Sequence, residues 1–237
     1  MKDNVEQPRY AVYYAPDADT PLWRFGCAAL GYDAETGAEV ASFKPQSIAG
    51  LDWRATASEP RRYGFHATLK APFYLTDGAD ESALIAAVAA LADDLRAAPL
   101  GPLRVRALGS FVALTSGAPR EALSAFAQRV VEALERFRAP LSPADMARRL
   151  ESPLTPRQKE LLLEFGYPYV SEEFRFHMTL TGPLHFEARP LVEAALRAIF
   201  EARVGQREAT LDQLAVFRQD RRDLPFRIIR RVPLRAP

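Results

Sequence analysis

The feature that most restricts how this chain can fold is an internal repeat. Residues 63–75 read YGFHATLKAPFYL and residues 174–186 read FRFHMTLTGPLHF. At an offset of 111 the pairs Phe65/Phe176, His66/His177, Thr68/Thr179, Leu69/Leu180 and Pro72/Pro183 coincide, with Tyr63 opposite Phe174. The segments after the two copies match as well. After the first, Ala79–Ala97 carries Leu84, Val88, Leu91 and Leu95 at helical spacing, with Asp80 and Glu81 near its start, where the helix dipole favours acids. The runs LRVRAL and FVALTS then read as strands divided by Gly109 and Ser110. After the second copy, residues 188–202 read as a helix on Leu191, Ala195, Leu196 and Ile199, and ATLDQLAVF and PFRIIRRVPL as strands. Each half is therefore strand–helix–strand–strand. This order implies a duplicated α+β chain, with two antiparallel-sheet lobes and flanking helices around a central cleft.

The segments outside the repeat are less regular. Arg9–Tyr14 reads as a strand ending in the turn-prone PDADTP, and Leu22–Leu30 as a helix. Glu121–Arg138 is amphipathic on Leu123, Phe126, Val130, Leu134 and Phe137, stopping at Ala139-Pro140. Residues 139–155 hold prolines at 140, 143 and 153 and read as the connection between lobes. A short helix over Arg157–Phe165 ends at Gly166, a residue suited to a helix C-terminus.

Composition excludes several classes. With 31 basic against 30 acidic side chains the formal charge is +1, so no global field draws long RNA or an anionic membrane. No apolar run approaches the ~18–20 residues of a membrane span, and the N-terminal MKDNVEQPRYAVYYAP has no apolar core of a signal peptide. Cys27 is the one cysteine and forms neither an internal disulfide nor a CxxC metal site. A cytoplasmic protein is expected.

The period of the strand gives the chemistry. Alternate strand side chains share a face. Gly64, His66, Thr68 and Lys70 then lie on one side of the first copy, with Phe65, Ala67 and Leu69 behind them. In the second, Arg175, His177, Thr179 and Thr181 oppose Phe176, Met178 and Leu180. If the halves pack about a pseudo-twofold axis, both polar faces line one cleft. Imidazoles titrate near neutrality, so one ring can accept a proton while the other donates one. Thr68 and Thr179 can donate to non-bridging phosphate oxygens, and Lys70 or Arg175 can offset the charge that builds there. The arrangement suits phosphate-ester chemistry. By composition alone, a His with Ser or Thr at +2 and an apolar residue at +3 arises about 5% of the time, so a duplicated pair is far more specific than one copy.

Two His-x-Thr motifs, one per half of a bilobal chain, resemble the 2H phosphoesterase superfamily over most of the sequence. The stretches RYAVYYAP, PLWRFGCAALGYDAETG, YGFHATLKAPF and GYPYVSEEFRFHMTLTGPL resemble the branch associated with bacterial phosphonate-utilisation operons. The resemblance implies a duplicated α+β fold around a cleft, and His66, Thr68, His177 and Thr179 as the catalytic tetrad. It implies a phosphodiesterase that needs no metal or other cofactor and opens a small cyclic phosphodiester, a cyclic ribose phosphate or 2′,3′-cyclic nucleotide. Two rival expectations stand beside it: a nucleotide- or RNA-binding module without turnover, and an RNA-processing or ligase-like member of the superfamily.

Other residues carry paired readings. Lys70 and Arg175 are candidates for phosphate contact or for solvated surface. Among Tyr63, Phe73, Tyr167 and Tyr169, Tyr63 and Tyr169 are the candidates for stacking on a base or ribose, and the rest are read as core. His185 is read as structural or exposed, and no zinc site is expected from the three histidines. Seven arginines over 218–235 read as a charged edge strand, with a phosphate-binding patch as the alternative.

Overall fold

The computed structural model describes residues 7–43, 51–205 and 208–236. The first six residues of the N-terminal stretch lie outside them. The elements run β1 (Arg9–Tyr14), α1 (Pro21–Leu30), α2 (Trp53–Arg61), β2 (Ala67–Tyr74), α3 (Glu81–Asp94), β3 (Ala98–Pro102), β4 (Arg104–Leu108) and β5 (Phe111–Thr115). They continue with α4 (Arg120–Ala133), α5 (Pro143–Leu150), α6 (Pro156–Phe165), β6 (His177–Thr179), α7 (Ala188–Arg203), β7 (Glu208–Leu211), β8 (Gln213–Gln219) and β9 (Arg227–Pro233). No described helix is long and apolar enough to cross a membrane.

Local chemistry sets the helix ends. Thr20 accepts from the Trp23 N–H and Pro21 opens α1, which stops at Gly31 with φ 67°. Asp80 caps α3 by accepting from Ala83 N–H. A reciprocal Thr155–Gln158 capping box opens α6, and Gly166 closes it with φ 69°. The sequence pattern does not reveal α2, α5 and β3. Pro60 stands inside α2, and α5 is a single eight-residue helix opened by Pro143. β3 is APLGP, whose prolines and glycine look like a loop until it meets a partner.

The repeat governs the topology. Each half is one strand, one helix and three further strands: β2-α3-β3-β4-β5, then β6-α7-β7-β8-β9. The equivalent strands β3 and β7 pair with each other in a two-stranded ribbon. The other seven form one antiparallel sheet in the order β4-β5-β6-β2-β1-β8-β9. The two expected lobes are thus halves of one sheet, joined at β6 and β2 through the single pair Ala67↔Met178. The halves also exchange parts: α3 packs on β8 and β9, whereas α7 packs on β4 and β5. Neither half of the sequence closes its own core.

The core runs through the sheet and its helix-covered face, with Phe65, Leu84, Leu114, Leu180, Leu196, Leu214 and Phe217 fully buried. Phe65, directly before His66, sits on Gly26 of α1 so closely that a Cβ there would lie 2.0 Å from its ring. Gly26→Ala therefore forces the strand carrying His66 away from α1. Alanine gains ~1 kcal/mol over glycine inside a helix, but overpacking a filled core costs about 1–3 kcal/mol. A net loss is expected, read as a lower Tm in thermal unfolding. An unchanged or raised Tm would contradict this packing.

Candidate active site

Both histidines are set by the same local device. Nδ1 of His66 lies 2.9 Å from the carbonyl oxygen of Gly64, and Nδ1 of His177 lies 2.7 Å from that of Arg175. A carbonyl only accepts, so each Nδ1 carries the hydrogen and each Nε2 is left with its lone pair. The Nε2 of His66 accepts from the Thr68 hydroxyl at 3.3 Å. Tyr13 of β1 stacks on the His66 ring at 3.8 Å between centroids, and Phe111 of β5 stands 5.8 Å from the His177 ring. Gly64 can place its carbonyl there because its φ is 73° and because a Cβ would lie 2.6 Å from the Ala34 Cβ.

The junction of the half-sheets brings the two motifs together. With Ala67 paired to Met178, antiparallel geometry sets Thr68 across from His177 and His66 across from Thr179. All four residues line one cleft of about 530 Å³. Tyr63 lines it too, half-buried, its ring 6.3 Å from His66 and stacked on Phe226 at 5.6 Å. Arg175 and Tyr169 line an adjoining, more apolar pocket of about 680 Å³, which shares Thr68, Phe111, Tyr167 and His177 with the cleft. Tyr169 is exposed and meets Tyr167 edge-on at 5.5 Å.

Lys70 is elsewhere, and here strict alternation misleads. The register pairs Tyr13 with Thr68 but Val12 with Lys70, so one extra residue of β2 bulges between them. Tyr13 faces His66, and Lys70 is therefore turned to the opposite side with Val12. There its ammonium is buried, donating to the Val131 carbonyl at 3.0 Å and to Glu135 at 2.8 Å. Thr181 also has a structural role: it accepts from Val112 N–H and donates to the Gly182 carbonyl. His185 is exposed, and its carbonyl accepts from the first turn of α7.

Several cleft residues escape a sequence reading. Tyr13 lies in a strand that looks like core, and nothing in RYAVYY hints at a histidine neighbour. Arg148 and Arg149 come from α5 and Arg9 from the first residue of β1. Of the seven C-terminal arginines, Arg222 lines the cleft. Others are paired away from it, Arg218 with Glu81 and Asp220, Arg221 with Asp223 and Arg231 with Glu35. Among the described residues no three His, Cys, Asp or Glu side chains gather into a group able to hold a metal ion.

Burial lowers the proton affinity of both rings. For His66 the pKa falls to about 4, burial being the main cause and the charge of His177 a further one, against the opposing Gly64 carbonyl. For His177 burial lowers it as well, against the Arg175 carbonyl. In the unfolded chain His66 titrates near the ordinary 6.5. Between that value and about 4 the unfolded state binds the proton and the folded state does not, so stability rises with pH there and is fully present above it. Acidification should thus destabilise the wild type, and His66→Asn should remove part of that slope. Denaturant unfolding at about pH 5 and about pH 7 checks the slope, and NMR titration of the ring checks the site. A His66 midpoint at or above the ordinary value would contradict this environment.

The chain resembles known proteins over most of its length. It is 35% identical over 228 residues to a ribose 1,5-bisphosphate phosphokinase PhnN of Janthinobacterium sp. (strain Marseille), covering 95% of this chain and 50% of that protein. The protein of the same name from Laribacter hongkongensis (strain HLHK9) is 36% identical over 225 residues, with 94% and 51% covered. The chain thus spans about half the length of these curated relatives. Among solved structures, one described as a phosphoesterase aligns at TM-score 0.42 and 13% identity over 97% of this chain and 99% of that one. Escherichia coli LigT complexed with 3′-AMP aligns at TM-score 0.39 and 14% identity over 96% and 99%. Residues 68–227 match the model of the family described as "Protein of unknown function (DUF1045)", and the chain belongs to that family.

Proposed function

We propose that this protein is a phosphodiesterase of the two-histidine type that opens a small cyclic phosphodiester by hydrolysis and needs no metal. The observation that carries the reading is the duplicated anchor: two imidazoles, each held through Nδ1 by a carbonyl two residues earlier, on adjacent strands of one cleft.

The geometry supplies the chemistry. A neutral Nε2 takes a proton from the attacking water as its oxygen bonds to phosphorus. The other ring, protonated, gives its proton to the ribose oxygen as the second P–O bond breaks. Burial lowers the proton affinity of both rings, and the near-symmetric pair lets either ring serve as base while the other, protonated, serves as acid. With substrate in the cleft the Thr68 hydroxyl turns from the His66 Nε2, and it and the Thr179 hydroxyl donate to the non-bridging oxygens, where negative charge accumulates. Tyr63 and the adjoining aromatic pocket offer faces for the sugar or a base. The relatives' name concerns a ribose phosphate, which supports a cyclic ribose phosphate as substrate and fits the role in phosphonate utilisation that the sequence resemblance implies.

Phosphorus NMR tests the reading. Ribosyl 1,2-cyclic phosphate, 2′,3′-cyclic nucleotides and a short RNA are incubated with the protein in EDTA. Turnover of a cyclic ester is expected in the wild type, and His66→Ala and His177→Ala should each lose at least ~10²-fold in rate, the scale of a general acid or base. A rate abolished by EDTA, or retained in either variant, would remove the mechanism. Tight nucleotide or RNA binding without turnover would instead favour the binding module.

A further inference from the structure

The two anchor carbonyls occupy matching places in the repeat, Gly64 and Arg175 at the offset of 111, yet the chain builds them differently. Gly64 follows closely on α2. Its N–H donates to the Arg61 carbonyl at 3.1 Å, that of Tyr63 donates to the Pro60 carbonyl at 3.0 Å, and its φ of 73° turns the chain towards β2. A helix end and one glycine therefore aim the first carbonyl from within their own segment.

Arg175 has neither. The short 3₁₀ turn Ser171–Glu173 leads into it instead of a helix. The left-handed residue there is Ser171 with φ 53°, alone among the described non-glycine residues. A side chain makes that conformation unfavourable, so contacts from elsewhere must hold it. They come from the start of α4. The Arg120 guanidinium donates through Nε to the Phe174 carbonyl at 2.9 Å and through Nη2 to the Glu172 carbonyl. The Ser124 hydroxyl donates to the carbonyl of Ser171 itself. From the other side α6 holds the side chains of the turn, Arg157 pairing with Glu172 and Gln158 donating to Glu173 at 2.9 Å.

The buried rings of Phe174 and Phe176 seat this segment on either side of Arg175, but apolar burial is non-directional and does not set the rotation of a peptide plane. Hydrogen bonds to particular carbonyls do. Fixing the Phe174 carbonyl fixes the plane that enters Arg175, whose own carbonyl meets Nδ1 of His177. The rigid fork of a guanidinium reaches two such carbonyls at once, which a single ammonium does not match. The grip also starts from the right place, since α4 follows β5, whose Thr115 is the sheet partner of His177.

We propose that Arg120 is a positioning residue for His177: by holding the Glu172 and Phe174 carbonyls it aims the Arg175 carbonyl at Nδ1 of the ring. The catalytic use of His177 rests on the phosphodiesterase reading above; the tautomer in which Arg120 keeps it does not.

Long-range proton–nitrogen NMR correlation on Arg120→Met, checked for folding by circular dichroism, tests this with His66 as the internal control. The neutral His177 ring should shift its tautomer ratio about 10-fold towards Nε2–H, the scale of one charge-assisted hydrogen bond, while His66 keeps its Nδ1–H form. Ser124→Ala should move His177 in the same direction by less. Two unchanged rings in the folded variant, or equal changes at both, would overturn the assignment. Should Arg120→Met fail to fold, Ser124→Ala decides by the same reading of the two rings. With a cyclic ester as substrate, Arg120→Met should lower kcat about 10-fold and leave KM within about twofold. A fall in rate with His177 unmoved overturns the positioning and keeps the phosphodiesterase. If no ester reacts with the wild type while Arg120→Met shifts His177 alone, the phosphodiesterase reading falls and the positioning stands.

Discussion

Two backbone carbonyls organise this molecule's cleft. Those of Gly64 and Arg175 each hold the imidazole two residues later, and everything chemical in the cleft depends on where they hold it. The bonds fix the tautomer, so both rings present an unprotonated Nε2 without any carboxylate to orient them. Keeping carboxylates away matters, because a paired acid would raise the proton affinity of a ring that burial is lowering. The cost is structural. Gly64 must adopt a left-handed conformation against Ala34, and Phe65 must seat on Gly26. The helix α1, which supplies no lining residue of the cleft, is in this way part of the site's foundation.

The exchange of parts between the halves is the second constraint. Each helix that comes after a His-x-Thr strand covers the strands of the opposite half. The halves therefore fold as one unit, and the single pair Ala67↔Met178 carries the register that sets each histidine across from the other strand's threonine. A slip of one residue at this junction would send the His and Thr of the slipped strand to the helix-covered face and part the two motifs.

Much of this was legible in the sequence, and the rest was hidden for definable reasons. That His66, Thr68, His177 and Thr179 share one cleft could be read because a duplicated motif states its own spacing twice, and period two puts His and Thr on one face. The helices with strong apolar periodicity, α3, α4 and α7, were legible for the same reason. Lys70 was misread because a bulge in β2 reverses the alternation beyond Thr68, and nothing in ATLKAPF marks where an extra residue will stand. The arginines of the cleft were invisible as a group because they converge from β1, α5 and the β8–β9 turn, a purely tertiary event. Arg222 looked like one of seven similar arginines; only its meeting with Asp145 sets it apart. Tyr13 carried no signal, since a buried tyrosine in a core strand looks the same whether it stacks on leucine or on imidazole.

The central claim is that both imidazoles are held as Nδ1–H tautomers with Nε2 facing the cleft. Long-range proton–nitrogen NMR correlation on uniformly labelled protein at neutral pH reads this directly, ring by ring. The account predicts, for each ring in its neutral form, a protonated Nδ1 and an Nε2 at the chemical shift of an unprotonated ring nitrogen. A protonated Nε2 on either neutral ring, or rapid averaging between tautomers, would contradict it.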